Sequence, residues 1–253
     1  MGATVLTQGC PVPAQDPNGR DFHIHDTRIN NDDDSIAVKP LDARGVHSDC
    51  TRNLLIENMS LTGFGASIGS VPPHADVACV RNVTFRNISM PGTGKGIYVK
   101  SNPSCGLDVD RFGKTVQKTS ILEGITYEDV RMDKPWWWAI WIGPQQQQEP
   151  HQSLGDKCSL EYGLPLQNHC PTQGCATFAN ITLRNVQITD PLLSPGVVLG
   201  NASNPMTNIT FDGVTVDFGA NPLRGRFPWG REYKCEHAGI ASLGATSPKP
   251  ACA

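Results

Sequence analysis

The sequence predicts an all-β protein built as a parallel β-helix, a solenoid in which short strands stack coil upon coil. Its 253 residues include 25 Gly and 20 Pro, a composition that favours many short strands joined by turns over long helices. One strand-like phrase also returns along the chain, and no helical periodicity separates its copies. Repetition of a single short unit is typical of solenoids.

The repeated phrase is about ten residues long, and apolar and polar residues alternate within it, as on a strand. The clear copies are residues 52–61, 81–90, 179–188 and 207–216, and looser copies are residues 21–29 and 123–132. Each copy breaks phase at Asn, Asp or Gly, which tolerate the positive φ of a tight bend. One copy is too small to bury its own apolar face, so the copies are expected to stack around one core. The side chains expected to point into that core are Ile56, Phe85, Ile125, Ile181 and Ile209.

The repeat also sets the expected domain organisation. Residues 1–15 form a non-repeat N-terminal segment, residues 16–220 form the β-helix domain, and residues 221–253 form a C-terminal tail without the phrase. A β-sandwich is the alternative architecture built from short strands, but sandwiches rarely repeat one phrase so closely.

Charge and composition exclude several classes of partner. The net charge is −3, which provides no basic footprint for nucleic acid or for an anionic membrane. No run approaches the roughly 18 apolar residues of a membrane span, and residues 1–10 lack the basic and apolar regions of a signal peptide. Nine cysteines favour an oxidising compartment. Six Asn-x-Ser/Thr sequons point the same way, although several lie within the repeated phrase, which explains them equally well.

Three short motifs follow one another at spacings of one coil. The first is the acidic run Asn31-Asp32-Asp33-Asp34-Ser35-Ile36-Ala37-Val38-Lys39, the second is Gly63-Phe64-Gly65-Ala66-Ser67-Ile68-Gly69-Ser70, and the third is Gly96-Ile97-Tyr98-Val99-Lys100. In this order and on this repeat, they resemble the polygalacturonases, the inverting pectin hydrolases of glycoside hydrolase family 28. The likeness covers roughly residues 16–216. It implies a right-handed β-helix of which this chain is the C-terminal part, with the family's N-terminal coils missing.

The resemblance also implies the roles of six residues. Inverting hydrolysis uses a carboxylic acid to protonate the leaving oxygen and a carboxylate base to activate water. By resemblance, Asp33 is the general acid and Asp34 belongs to the base pair. The implied substrate-binding residues are Lys100, Tyr98, Phe64 and Ser67. The implied partner is a pectin-like polysaccharide, with no metal ion or cofactor, and the implied state is a monomer in the extracellular space or cell wall.

The sequence departs from the family pattern at several of these positions. Pro13 stands where the family has a further catalytic Asp, one coil before the acidic run. Phe64 replaces the motif's His and Tyr98 its Arg, so that only Lys100 remains of a cationic pair that would hold a substrate carboxylate. Ser35 and Ser60 occupy positions where relatives often carry a cysteine pair.

Two alternative functions therefore stay open beside hydrolysis. The first is a carbohydrate-binding β-helix that kept the groove and lost the chemistry. The second is a calcium-dependent lyase with the carboxylates of residues 32–34 as ligands, although no Arg lies near them in a recognisable motif. The tryptophans at 136, 137, 138 and 141 fit two interpretations as well, since exposed indoles stack on sugar rings and buried ones fill a core.

Overall fold

The structure is a computed structural model that describes residues 19–40, 50–102, 104–145 and 172–253. The segment predicted at residues 1–15, including Pro13, lies outside the described residues. The described residues form fifteen strands and two large sheets. Among them no helix is long and apolar enough to cross a membrane.

The two sheets run along the whole described chain. One has seven strands: β1 (Arg20–Ile29), β3 (Thr51–Leu61), β5 (Ala78–Pro91), β9 (Ser120–Asp133), β11 (Ala176–Thr189), β13 (Met206–Asp217) and β15 (Ala238–Leu243). The other has six strands: β2 (Ile36–Val38), β4 (Ala66–Ile68), β6 (Ile97–Ser101), β10 (Ile140–Gln145), β12 (Gly196–Leu199) and β14 (Tyr233–Glu236). A separate hairpin pairs β7 (Leu107–Val109) with β8 (Thr115–Gln117).

Neighbouring strands in both large sheets are parallel, and the chain alternates between the sheets as it advances. This arrangement is a right-handed parallel β-helix, so the predicted fold is confirmed. The parallel pairing also excludes the β-sandwich, whose sheets are antiparallel.

The predicted core is confirmed, since all five expected residues are fully buried in one cluster. The copies of the phrase stack in register, with Ile56 beside Phe85 and Phe85 beside Tyr127. The rings of Phe85 and Tyr127 are stacked, with centroids 4.8 Å apart. The Tyr127 hydroxyl donates a hydrogen bond across the core to the Ala66 carbonyl at 3.0 Å, and burial raises the pKa of this tyrosine. The apolar half of each phrase therefore builds the solenoid interior.

Ladders of asparagine side chains mark the bends where each phrase breaks phase. Asn53, Asn58, Asn82 and Asn87 all adopt positive φ. The Asn87 amide donates to the Asn58 side-chain oxygen at 2.8 Å, and Asn82 donates to Asn53 at the same distance. Asn208 and Asn180 form a similar rung at 2.7 Å. Each asparagine thus has two roles: it adopts the left-handed backbone conformation of the bend, and its side chain forms a hydrogen bond to the coil before it.

Replacing Asn87 separates these two contributions. We expect Asn87→Ala to lower the free energy of unfolding by about 2 kcal/mol, because alanine resists positive φ and loses the rung. Asn87→Gly keeps the backbone conformation and loses only the hydrogen bond, so it should cost about 1 kcal/mol. Urea unfolding of both variants measures the difference, and equal losses would show that the backbone conformation contributes nothing here.

Strand pairing continues into the segment predicted as a tail. β14 extends the six-stranded sheet next to β12, and β15 extends the seven-stranded sheet next to β13. The last coil is fastened by a disulfide between Cys235 and Cys252. Two further disulfides join Cys50 to Cys79 and Cys105 to Cys175. The tail therefore adds a coil without carrying the repeated phrase.

Candidate active site

The first motif places Asp34 on the outer face of the six-stranded sheet, just before β2. Its carboxylate accepts a hydrogen bond from the Ser67 hydroxyl at 2.8 Å and forms an ion pair with the Lys100 ammonium at 2.7 Å. These three residues come from three successive coils, because β2 pairs with β4 and β4 with β6. The carboxylate is consequently held on both oxygens, and only 11% of the side chain is exposed.

Asp33 has a different environment from its neighbour, because it occupies the bend before β2 and is exposed. Its carboxylate accepts the backbone N–H of Asp34 at 2.7 Å, and its carbonyl accepts the N–H of Phe64 at 2.8 Å. Gly63, at φ +53°, packs against this carbonyl so closely that a side chain would collide with it. The glycine of the second motif thus fixes the bend that presents Asp33 beside Asp34.

Lys100 reaches Asp34 by crossing the coil between them. Gly69 packs closely against Lys100, since a Cβ there would lie 2.6 Å from the Lys100 carbonyl oxygen and 3.3 Å from its Cγ. The Lys100 side chain is only 4% exposed, and its ammonium also lies 4.2 Å from the centroid of the Tyr98 ring. Lys100 therefore contacts Asp34 and an aromatic ring and is turned away from solvent.

Tyr98 and Phe64 lie next to this ion pair. Tyr98 is only 2% exposed, whereas Phe64 is partly exposed. Their rings meet edge to face, with centroids 6.4 Å apart. The structure thus brings all six predicted site residues to one face of neighbouring coils, and it presents Asp33 and Phe64 more openly than the other four.

Lys95 belongs to the same region, although the sequence analysis did not single it out. It is 1% exposed, and its ammonium lies 4.0 Å from the ring of Tyr98, 4.5 Å from that of Trp141 and 5.2 Å from that of Phe64. Cation–π contacts of this kind are favourable, especially away from water. The only sequence signal was a lysine between two glycines ahead of the third motif.

Lys39 is a second cation that the sequence analysis left aside. It follows β2 directly and is partly exposed. Burial lowers its pKa, and the nearby charge of Lys100 lowers it further, while Asp34 and Asp33 oppose the shift. Lys39 thus places a partly accessible positive charge on the aspartate side of the site.

The tryptophans divide between the two interpretations that the sequence left open. Trp138 and Trp141 are fully buried in an outer aromatic cluster, where Trp138 stacks on Trp229 with centroids 5.0 Å apart. Trp136 is 48% exposed, and Trp137 is partly exposed. Trp138 and Trp141 therefore cover the outer face of the sheet, whereas Trp136 and Trp137 are accessible enough for a role at the surface.

This arrangement can supply two carboxyl groups of unequal environment at adjacent positions. Asp33 can be reached from solvent, while Asp34 is fixed by a cation and a hydroxyl, as suits a carboxylate that must stay oriented. Ser35, between Asp34 and β2, is buried and donates to the Thr62 carbonyl at 2.8 Å, which anchors the strand start. Within the described ranges, no group of three or more His, Cys, Asp or Glu side chains is arranged to hold a metal ion.

Comparisons with known proteins agree with the motifs. The sequence model of the family described as Glycosyl hydrolases family 28 matches residues 17–143, half of the chain and the part that carries the site. A polygalacturonase of Brassica napus is 23% identical over 223 residues, covering 82% of this chain and 45% of that protein. An exopolygalacturonase of Cochliobolus carbonum is 24% identical over 81% of this chain and 43% of its own length.

A shorter match is closer in sequence. A probable endo-xylogalacturonan hydrolase A of Aspergillus flavus is 37% identical over 84 residues, which are 33% of this chain and 18% of that protein. The chain therefore spans less than half the length of each of these three relatives.

Proposed function

We propose that this chain, which belongs to glycosyl hydrolases family 28, acts as a pectin hydrolase on galacturonan or a related acidic polysaccharide. The observation that carries the proposal is the Asp33–Asp34 pair, with Asp34 held by Ser67 and Lys100. The relatives named as polygalacturonase and exopolygalacturonase support the substrate class.

In the proposed mechanism, Asp33 protonates the leaving glycosidic oxygen from its exposed position. Asp34 accepts a proton from the attacking water, and Lys100 and Ser67 keep its carboxylate oriented. Attack from the opposite face of the sugar inverts the anomeric configuration. Phe64, which is partly exposed, borders the bound sugar, and the buried Tyr98 packs against Phe64.

A carbohydrate-binding β-helix with impaired chemistry is the second candidate. Two observations favour it. The ammonium of Lys100 is paired with Asp34, and the aromatic residues Phe64 and Tyr98 stand in place of the His and Arg of the family motif. In this case the groove would bind a polysaccharide and release no product.

Hydrolysis assays separate the two candidates. We expect the 253-residue chain to release reducing sugars from polygalacturonate only weakly, because Pro13 stands where the family has its third carboxylate. Losing a positioned general base typically costs roughly 10²- to 10⁴-fold in rate. Any product should carry the inverted anomer, which NMR of early product detects. Retained configuration would contradict the mechanism, and binding without any product would favour the second candidate.

We also propose that the protein works outside the cell as a monomer. The disulfides Cys50–Cys79, Cys105–Cys175 and Cys235–Cys252 support an oxidising compartment, because such bonds persist mainly in secreted proteins. The proposed partner is the polysaccharide alone, with neither nucleic acid nor membrane.

A further inference from the structure

An aromatic surface adjoins the aspartate pair on the outer face of the sheet. Trp136 is 48% exposed, and its ring centroid lies 6.3 Å from that of Phe64 and 6.2 Å from that of Trp137. The rings of Trp136 and Phe64 pack against Gly94, where an added Cβ would lie 2.8 Å from Phe64 and 2.9 Å from Trp136. We call these three side chains, Phe64, Trp136 and Trp137, the aromatic platform.

The platform is continuous with the candidate active site. Phe64 contacts Tyr98 edge to face, and Tyr98 lies beside Lys100, which pairs with Asp34. The backbone N–H of Phe64 also bonds to the Asp33 carbonyl at 2.8 Å. A sugar chain that places one glycosidic bond at the aspartates and runs along the coils would therefore lay a nearby unit on the platform, which extends from Phe64 before β4 to Trp136 before β10.

Of the three lysines that the structure places in the site, none presents an exposed ammonium on the platform. Lys100 pairs with Asp34 and is 4% exposed. Lys95 is 1% exposed, and its ammonium lies among the rings of Tyr98, Trp141 and Phe64, 5.2 Å from the centroid of Phe64. Lys39 is partly accessible, but it acts on the aspartate side, where its pKa responds to Asp33 and Asp34. The site thus has a charged half and an aromatic half.

We propose, building on the hydrolase function above, that the platform binds a sugar unit without a free carboxylate. Aromatic faces carry partial negative charge and favour the apolar C–H face of a pyranose, whereas a free carboxylate against them loses hydration and cannot pair directly with the buried ammonium groups of Lys95 and Lys100. The preferred chain therefore carries a methyl-esterified uronate or a neutral sugar near the unit that is cleaved. This preference differs from that of a site built on paired cations.

Calorimetric titration with three oligosaccharides of equal length tests the preference. The probes are a galacturonate hexamer, the same hexamer as its full methyl ester, and a neutral galactose hexamer. We expect the ester to bind at least tenfold more tightly than the free acid. Tighter binding of the neutral hexamer than of the ester assigns the platform to a neutral sugar, and the reverse order assigns it to the ester. A free acid that binds as tightly as both uncharged probes, or absence of binding to any probe, overturns the proposal.

Two variants locate the effect on the platform. Trp136→Ala should weaken binding of the ester about tenfold and leave the free acid unchanged, and Trp136→Phe should recover part of the loss. The control is Phe112→Ala on the β7–β8 hairpin, which removes an aromatic side chain that is 79% exposed and lies outside the platform. Unchanged ester binding in Trp136→Ala would refute the assignment.

Binding by calorimetry and product release are measured in separate experiments, so this proposal and the hydrolase proposal fail separately. Ester-selective binding with no product from any probe would refute the hydrolase proposal and support the proposal that the platform binds the sugar. The opposite result is cleavage of the free acid at least as fast as that of the ester, with no preference for the ester in binding. It would refute the platform proposal and support the hydrolase proposal.

Discussion

Replacing Asp33 by Asn is expected to abolish whatever hydrolysis the protein performs, with a loss of roughly 10²- to 10⁴-fold. The amide keeps the size and shape of the exposed side chain but cannot donate the proton that the leaving oxygen requires. Its oxygen can still accept the Asp34 N–H that the carboxylate now accepts at 2.7 Å, so the bend should persist. Reducing-sugar release on the best substrate measures the loss, and the thermal midpoint should stay close to that of the parent.

The matched control is Asp32→Asn, because Asp32 is exposed one residue earlier in the same bend. It removes the same charge from the acidic run and should leave the rate within about twofold, since we place Asp32 outside the catalytic pair. Hydrolysis that survives Asp33→Asn would show that the catalytic site is elsewhere. Activity lost equally in both variants and abolished by a chelator would instead support the calcium-dependent lyase.

Replacing Lys100 by Met should give the largest loss of stability among the substitutions considered. The methionine fills a similar volume, but it leaves the Asp34 carboxylate, only 11% exposed, without its cation. Removing one partner of a buried ion pair typically costs about 3–5 kcal/mol in the free energy of unfolding. Urea unfolding should therefore show a marked fall in the midpoint, while Lys114→Met on the exposed hairpin should change the free energy by less than about 0.5 kcal/mol.

A double-mutant cycle distinguishes the ion pair from simple packing. If the uncompensated charge causes the loss, Asp34→Asn combined with Lys100→Met should be more stable than Lys100→Met alone, because the buried anion is then absent. If the double variant loses the full sum of the two single losses, Lys100 stabilises the protein through its contact with Tyr98 and the crossed coil. That outcome would refute Asp34 as the partner that matters.

The fold followed from the sequence because one local rule repeats. The alternation that buries Ile56 and Phe85, and the asparagines that allow each bend, are visible within ten residues of chain. The final coil was less visible, since the strand at Tyr233–Glu236 lacks the phrase and depends on pairing with β12. Disulfide partners were hidden for the same reason, because Cys105 and Cys175 are 70 residues apart and meet only in the folded solenoid.

The site was visible in part. Motif order predicts that Asp34 and Lys100 share a face, but it cannot tell whether the ammonium awaits a substrate or binds the carboxylate, and the structure has them 2.7 Å apart. Lys95 was missed because its environment comes from side chains of three coils, which no local pattern contains. Trp138 is buried where Trp229 stacks on it, and a contact between two residues so distant in sequence is not contained in any local pattern.

The asparagine ladders allow the connections between coils to differ in length while the strands stay aligned. Asn58 and Asn87 are 29 residues apart, whereas Asp129 and Asn185 are 56 apart, and both pairs make the same kind of rung. A rung requires only that the next asparagine arrives at the bend, so the length of the return path is left unconstrained. Insertions and deletions in these connections are therefore expected to be tolerated, and evolution can reshape the connections while the paired strands keep their alignment.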